Sequence, residues 1–287
     1  MQKSNLKHYL HLHLIVLIWG FTAILGKLIS IDAIPLVWYR MLLASIFIAI
    51  YFLLKKKSFS LDKKSLFKFF LSGILIALHW ITFFKAIKVS NVSVALVMMS
   101  TGAFFTSFIE PFFFKRKIKV LEIFLGLMVI GGLYIIFSFE SRYTLGIVYA
   151  LISSFLSALF SVLNGLFVRK HDASIISFYQ LFFGAVFITV FLFFQGSFTA
   201  SFFILKSTDW IYLLILSSIC TAYAFIVGVD IMKHLTPYTV ILTINLEPVY
   251  AIILALIIFG ESEKMNSEFY LGAGIVLFVV LLNINIV

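Results

Sequence analysis

The sequence predicts an all-α integral membrane protein, with ten transmembrane helices arranged as two inverted five-helix repeats around a central cavity. Of its 287 residues, 63% are hydrophobic and only 12% are charged, whereas a soluble domain has about 25% charged residues. Apolar runs of about 20 residues, long enough to cross a bilayer, recur ten times along the chain. The order of features in the first five runs also recurs in the last five.

Charged and turn-forming residues separate the apolar runs and set the bounds of each predicted helix. The first run follows a basic N-terminus, but it continues through Gly20 to Lys27 without a small-residue cleavage site. We therefore expect an uncleaved first helix and not a signal peptide. Residues 196–208 are weakly polar and contain several phenylalanines, which predicts an interfacial loop. The ten helices are predicted over residues 9–29, 34–54, 66–87, 90–114, 121–139, 144–168, 174–195, 209–231, 236–259 and 269–286.

Lysine and arginine are distributed unequally between the two sides of the predicted membrane. If the N-terminus is cytoplasmic, most of them lie in the inner links, for example in residues 55–57 and 115–117, and few lie in the outer links. This positive-inside bias predicts that both termini are in the cytoplasm. The absence of long loops and of a cleavable leader suits a multi-pass protein of the cell inner (plasma) membrane. The net charge of +10 therefore indicates membrane orientation and no nucleic-acid partner.

The two halves of the chain share the order of several features. Val94 to Phe114 and Thr239 to Phe259 each end a long apolar run, and a charged link follows both. The next run opens with Glu122 and Gly126 in one half and with Glu268 and Gly272 in the other. Because each half has an odd number of spans, the second copy must enter the membrane inverted, as in many secondary transporters. We predict one repeat over residues 1–139 and the other over residues 140–287.

The predicted ninth helix carries a carboxylate near its middle. Glu247 and Pro248 lie roughly 16 Å from the start of this helix at 1.5 Å per residue, hence near the bilayer midplane. A carboxylate costs roughly 2.5–3.5 kcal/mol there on insertion scales, and it is tolerated where it faces protein or a wet cavity. Glu247 is therefore either a proton-titrating or cation-binding group, or a structural group that caps backbone freed by Pro248.

The predicted second helix contains a cation, Arg40, about six residues from its outer end. Its planar guanidinium would suit a substrate carboxylate, which it can bind through two parallel hydrogen bonds. Alternatively, its side chain extends to the outer interface, or it pairs with Asp32 or Glu247. We therefore treat Arg40 and Glu247 as candidates for a coupling or a structural charge.

Aromatic, amide and hydroxyl side chains recur near the middle of the predicted helices. Such groups suit a small amphipathic substrate through stacking and hydrogen bonds, although each could instead bond neighbouring helices together. The candidate substrate-binding residues are Trp19, His79, Trp80, Ser100, Thr101, Asn164, Tyr179, Gln180, Tyr223 and Asn245.

Patterns typical of a cofactor, a metal site or an enzyme are not found in the sequence. Cys220 is the single cysteine, and His8, His11 and His13 lack an accompanying carboxylate or cysteine. No nucleophile has a base at useful spacing, and no phosphate-binding loop is recognised. A channel would need a ring of filter residues. We therefore expect no cofactor, no metal and no enzymatic activity.

Pro35 with Arg40 on the second helix, Leu246-Glu247-Pro248 on the ninth, and Phe259-Gly260-Glu261 at its end resemble the drug/metabolite transporter (DMT) superfamily in its EamA-type branch. The resemblance implies a central cavity lined by helices one to four and six to nine, with helices five and ten outside. The sequence departs from the pattern in the first half, where Gly102-Ala103 replaces Glu-Pro.

This resemblance also implies a function. Members of the branch are mostly exporters of amino acids and other small metabolites. We therefore expect a secondary transporter of small metabolites, an exporter of amino acids or related compounds, that works by alternating access. The alternatives are a proton-coupled multidrug exporter and, from a different class, a channel or a membrane-embedded enzyme. The expected partners are a small-molecule substrate and the lipid bilayer, and the chain is expected to be a monomer or a homodimer.

Overall fold

The computed structural model describes residues 3–115, 117, 120–244 and 246–284, and every regular element within these ranges is helical. Spans that consist of two helical pieces are labelled a and b. The helices are α1 (Lys3–Leu28), α2 (Ala33–Leu54), α3 (Lys63–Val89), α4a (Val92–Met99), α4b (Gly102–Phe114), α5 (Val120–Phe139), α6 (Thr144–Phe167), α7 (Ala173–Phe194), α8a (Ser207–Ser217), α8b (Ala224–Ile231), α9a (Pro237–Ile244), α9b (Glu247–Phe259) and α10 (Ser267–Ile284).

These helices confirm the prediction of an all-α, multi-span membrane protein. Within the described ranges, 7 helical segments are long and apolar enough to cross a bilayer, and residues 124–139 and 267–279 form shorter apolar helices. Many large apolar side chains lie on the outer surface of the bundle, for example Phe194, which is 82% exposed. Lipid accommodates such side chains, whereas water would not.

Three of the predicted helices are interrupted in the structure. The predicted helix 90–114 is divided at Ser100 and Thr101, whose hydroxyls donate to the carbonyls of Leu96 and Met98 at 3.3 and 2.7 Å. Side-chain bonds of this kind compete with the helical backbone ladder and bend a helix. The predicted helix 209–231 contains a π-helical segment, Ser218–Tyr223, between α8a and α8b.

The predicted helix 236–259 is divided before Glu247, and Pro248 lies in the first turn of α9b. Proline is tolerated there because first-turn amides have no helical partner. The breaks in α4 and α9 therefore fall near Gly102 and Glu247, the positions that the predicted repeat pairs with each other. The repeat bounds at residues 139 and 140 remain a prediction.

Glycines permit the closest helix contacts in the bundle. A Cβ atom added to Gly73 of α3 would lie 2.5 Å from the carbonyl oxygen of Gln180 in α7. Similarly, a Cβ on Gly272 of α10 would lie 2.8 Å from the carbonyl oxygen of Gly132 in α5. Thus α3 packs into the centre of the bundle against α7, while α5 and α10 pack against each other.

Candidate functional site

A central cavity is enclosed by α1, α2, α3, α4a, α6, α8b and α9. The space inside it that water-sized molecules can occupy is about 100 Å³, which is less than the roughly 300–1,000 Å³ of pockets for drug-sized ligands. Most of its wall is apolar or aromatic, with a few polar groups. The lining residues are Trp19, Arg40, His79, Trp80, Phe83, Met99, Ser157, Phe160, Ser161, Asn164, Phe225, Gly228, Val229, Met232, Ile244 and Glu247.

Arg40 is the cation of this cavity and is only 1% exposed. Its Nε donates to Thr221 Oγ1 at 2.7 Å, and its Cζ lies 3.8 Å from the ring centre of Trp80. Its Nη1 has no hydrogen-bond partner in the described part of the chain. The alternative that Arg40 extends to the outer interface is therefore wrong, because the side chain stays inside the bundle.

Glu247 is partly buried and faces the same cavity from the first turn of α9b. The partial positive charge of a helix N-terminus stabilises a carboxylate at this position. Neither it nor Arg40 belongs to an ion pair within 4.0 Å among the described residues. The cavity therefore presents one positive and one negative group that do not neutralise each other by direct contact.

His79 is held against α6 by Ser153. Its Nδ1 lies 2.9 Å from the Ser153 carbonyl oxygen, and Ser153 Oγ donates to the His79 carbonyl at 2.9 Å. Nδ1 also lies 2.8 Å from Ser153 Oγ. Because a carbonyl oxygen can only accept, the contact with the Ser153 carbonyl favours the tautomer with the hydrogen on Nδ1, which leaves Nε2 of the neutral ring as an acceptor. No group of three or more His, Cys, Asp or Glu that could hold a metal ion occurs among the residues that the structure describes.

Asn164 reaches the cavity from α6 and is oriented by a buried amide behind it. Gln180 Nε2 donates to Asn164 Oδ1 at 2.6 Å and to Ser72 Oγ at 2.8 Å. Gln180 is itself fully buried and does not line the cavity. This network joins α3, α6 and α7, and it leaves the NH₂ group of Asn164 for other contacts.

Several predicted site residues lie away from the cavity. Ser100 and Thr101 are buried at the break between α4a and α4b, and Thr101 Oγ1 lies 3.0 Å from Ser154 Oγ. Tyr179 donates from its hydroxyl to the Phe59 carbonyl in the link after α2. Tyr223 is 44% exposed, and its hydroxyl pairs with His11 Nε2 at 2.9 Å. Asn245 lies outside the described residues.

The structure brings Trp19, Arg40, His79, Trp80, Asn164 and Glu247 to one cavity. It also adds lining residues that the sequence analysis missed, including Ser157 and Ser161 of α6. The sequence could have predicted these two serines, because Ser157, Ser161 and Asn164 follow the three- and four-residue spacing of one helix face. The aromatic lining residues Phe83, Phe160 and Phe225 had no such signal among the 35 phenylalanines.

A buried carboxylate connects several elements at the end of the bundle where α1 ends and α4a begins. Glu263 is fully buried in the link after α9b. One carboxylate oxygen accepts from Lys27 Nζ at 2.7 Å and from the Val92 amide at 3.1 Å; the other accepts from the Ser93 amide and hydroxyl, both at 2.9 Å. We call Lys27, Val92, Ser93 and Glu263 the outer clamp, since this end is the predicted outer end.

Further hydrogen bonds join helices at the same end. Asp209 of α8a accepts from the Ser30 amide at 2.8 Å and from the Ser30 hydroxyl at 2.6 Å. Lys88 Nζ donates to the Ile29 carbonyl at 2.7 Å. At the opposite end, the cavity wall includes Met232, the residue that follows the last residue of α8b. The cavity therefore extends towards the predicted cytoplasmic end, and the clamp lies beyond its other end.

The comparisons with known proteins agree with this architecture. The model of the EamA-like transporter family matches residues 6–138 and 144–285. An "Uncharacterized transporter" of Clostridium kluyveri is 26% identical over 224 residues, which is 74% of this chain and 71% of that protein. A solved chain described as "Crystal structure of protein" superposes with a TM-score of 0.69 at 15% identity, over 98% of this chain and 97% of that one. The resemblance noted in the sequence is confirmed: this multi-pass membrane chain belongs to the EamA-like transporter family.

Proposed function

We propose that this protein is a secondary transporter that exports amino acids or related small metabolites. The observation that carries the proposal is the pair of opposite charges in one cavity: Arg40 and Glu247 both line it, and they form no direct ion pair. An amino acid is a zwitterion, so its carboxylate and its ammonium need partners of opposite sign. The aromatic wall, including Trp19 and Phe225, would cover the apolar part of such a substrate.

The burial of both charges favours a binding role. Arg40 leaves Nη1 unpaired within the described residues although the side chain is almost completely buried. An unsatisfied buried donor costs about 1–3 kcal/mol, and more when the group is charged. A substrate carboxylate or ordered water would remove this cost. A carboxylate would accept a charge-assisted hydrogen bond from the guanidinium, which is stronger than the bond to a neutral acceptor.

The position of the cavity supports alternating access between the two sides of the membrane. Its wall reaches Met232 at one end, while the outer clamp joins α1, α4a and the link after α9b at the other. We propose that the N-terminus is cytoplasmic, that the membrane is the plasma membrane, and that residues 1–139 and 140–287 form the two inverted repeats. The structure then represents a state that receives its substrate from the cytoplasm.

Counterflow in proteoliposomes tests this proposal. The purified protein is reconstituted, the vesicles are loaded in turn with single L-amino acids, and exchange for the labelled compound is measured. We expect exchange of at least one amino acid, reduced more than tenfold by Arg40→Met. Glu261→Gln is the matched control, because Glu261 is 84% exposed and pairs with the neighbouring Lys264. No exchange of any amino acid by protein that melts cooperatively would refute the proposal.

A proton-coupled multidrug exporter is the second candidate function. It is favoured by the two titratable groups, His79 and Glu247, that line an otherwise aromatic cavity. If Glu247 couples transport to protons, Glu247→Gln should abolish the dependence of transport on a pH gradient while exchange at equal pH continues. Unchanged pH dependence in this variant would exclude Glu247 as the coupling group. Efflux of lipophilic cations without amino acid exchange would favour the multidrug function.

A further inference from the structure

The π-helical segment of α8, Ser218–Tyr223, lies next to the cavity arginine. A π-turn contains one residue more than an α-turn, so it rotates the following helix by about 100° relative to an uninterrupted one. This rotation determines which face α8b turns to the cavity, where Phe225, Gly228 and Val229 lie. Such segments are uncommon and occur frequently at functional sites.

One hydroxyl of this segment contacts Arg40 directly. Thr221 Oγ1 donates its hydrogen to the Leu216 carbonyl at 2.6 Å, so its lone pair is free to accept from Arg40 Nε at 2.7 Å. Thr221 is fully buried. The hydroxyl orientation is therefore determined by the backbone of α8, and it can only act as an acceptor towards the guanidinium.

The guanidinium of Arg40 is thus restrained in two directions. Trp80 lies against its face with 3.8 Å between Cζ and the ring centre, and Thr221 occupies its Nε edge. A guanidinium binds a carboxylate bidentately either through Nε and one Nη or through the two Nη atoms. Because Nε is occupied, the end with the two Nη atoms is the edge that remains for an anion; Arg40 lines the cavity, and its Nη1 is buried without a partner among the described residues.

We infer that Thr221 is a positioning residue for substrate recognition: through its bond to Nε, it holds the Nη edge of Arg40 towards the cavity, where that edge selects substrates with a carboxylate. This inference rests on the proposed function, in which Arg40 binds the substrate carboxylate. Thr221 does not touch the substrate, and its effect is on the orientation of Arg40 alone.

The test compares two probes of nearly equal shape, benzoate and the neutral benzamide. Trp19 and Trp80 line the cavity, so quenching of tryptophan fluorescence in the full-length protein in detergent reports binding. We expect the wild type to bind benzoate at least tenfold more tightly than benzamide. Thr221→Val should reduce this ratio to below threefold with little change in benzamide affinity. Thr221→Ser, which keeps the hydroxyl, should restore the ratio.

The possible results distinguish a failure of the positioning role of Thr221 from a failure of the anion site at Arg40. If Arg40→Met removes the preference for benzoate but Thr221→Val and Thr221→Ala keep it, the positioning role is overturned and the anion site at Arg40 stands. If the wild type itself shows no preference for benzoate, the anion site fails, and the positioning role fails with it. If Thr221 only stabilises the fold, its substitution should lower the affinities for benzoate and benzamide equally. The ratio of the two affinities would then stay unchanged, and this result would overturn the inference. Thr221→Ala serves if Thr221→Val does not fold.

Discussion

Removal of the charge of Glu263 tests whether the outer clamp keeps one end of the transporter closed. In Glu263→Gln, one of the two oxygens becomes an NH₂ group that can only donate. Whichever position it takes, a backbone amide of Val92 or Ser93 loses its acceptor. An unsatisfied buried amide costs about 1–3 kcal/mol. The lost negative charge at the N-terminus of α4a adds about 0.3–1 kcal/mol.

In total, Glu263→Gln should destabilise the closed conformation relative to the open one by about 2 kcal/mol, because opening this end must break the same contacts. At about 1.4 kcal/mol per factor of ten, the closed-to-open ratio should fall roughly 30-fold. We would measure it with Met99→Cys in a Cys220→Ala background, because Met99 lines the cavity and Cys220 is the single native cysteine. An impermeant maleimide added outside intact cells should label this cysteine at least tenfold faster in Glu263→Gln.

The matched control is Glu261→Gln, which removes an exposed pair with Lys264 in the same link. Exposed pairs of this kind contribute about 0–1 kcal/mol, so we expect an unchanged labelling rate. If Glu263→Gln lowers the melting temperature but leaves the labelling rate within twofold of the parent, the clamp stabilises the fold without acting as a gate. That result would refute the reasoning.

Two further predictions concern the fold. Gly73→Ala should destabilise the protein by about 1–3 kcal/mol in thermal denaturation, because its Cβ would lie 2.5 Å from a backbone oxygen of α7. Gly131→Ala, with nothing within 4 Å, should be neutral or stabilising, and equal effects of the two would contradict the close packing. Burial alone would raise the pKa of the Asp172 carboxyl, but hydrogen bonds from Ser174 and Lys57 together lower it. Asp172→Ala should therefore cost about 0.5–1 kcal/mol at neutral pH.

The pH dependence of that last effect follows from the sign of the shift. A carboxyl whose pKa is lower in the folded state stabilises fully above its unfolded value of about 3.9, and this contribution is lost as the pH falls through the folded value. The difference between wild type and Asp172→Ala should therefore shrink below about pH 4. A difference in melting temperature that stays constant down to pH 3 would show that the charge of Asp172 is not involved.

The sequence could locate the charged groups of the site but not all of its wall. Arg40 and Glu247 stand out because ionisable residues are rare inside apolar spans and face protein or water there. Phe83, Phe160 and Phe225 could not be distinguished from lipid-facing phenylalanines, because both environments are apolar. Gln180 was expected in the cavity, yet it lies one layer behind Asn164. A helix that is apolar all round does not reveal which face meets a cavity.

The amino-acid sequence by itself determined that this is a multi-span α-helical membrane protein, because bilayer thickness and the cost of unpaired backbone groups leave few other structures for such long apolar runs. The transporter family followed from the resemblance of its motifs and from the family match. Only the tertiary structure decided where the helices break and which polar groups meet. Ser100 and Thr101 bond their own backbone, Tyr223 lies at the surface, and Thr221 contacts Arg40 from a π-segment. These outcomes depend on contacts between residues far apart in the chain, and local spacing does not specify them.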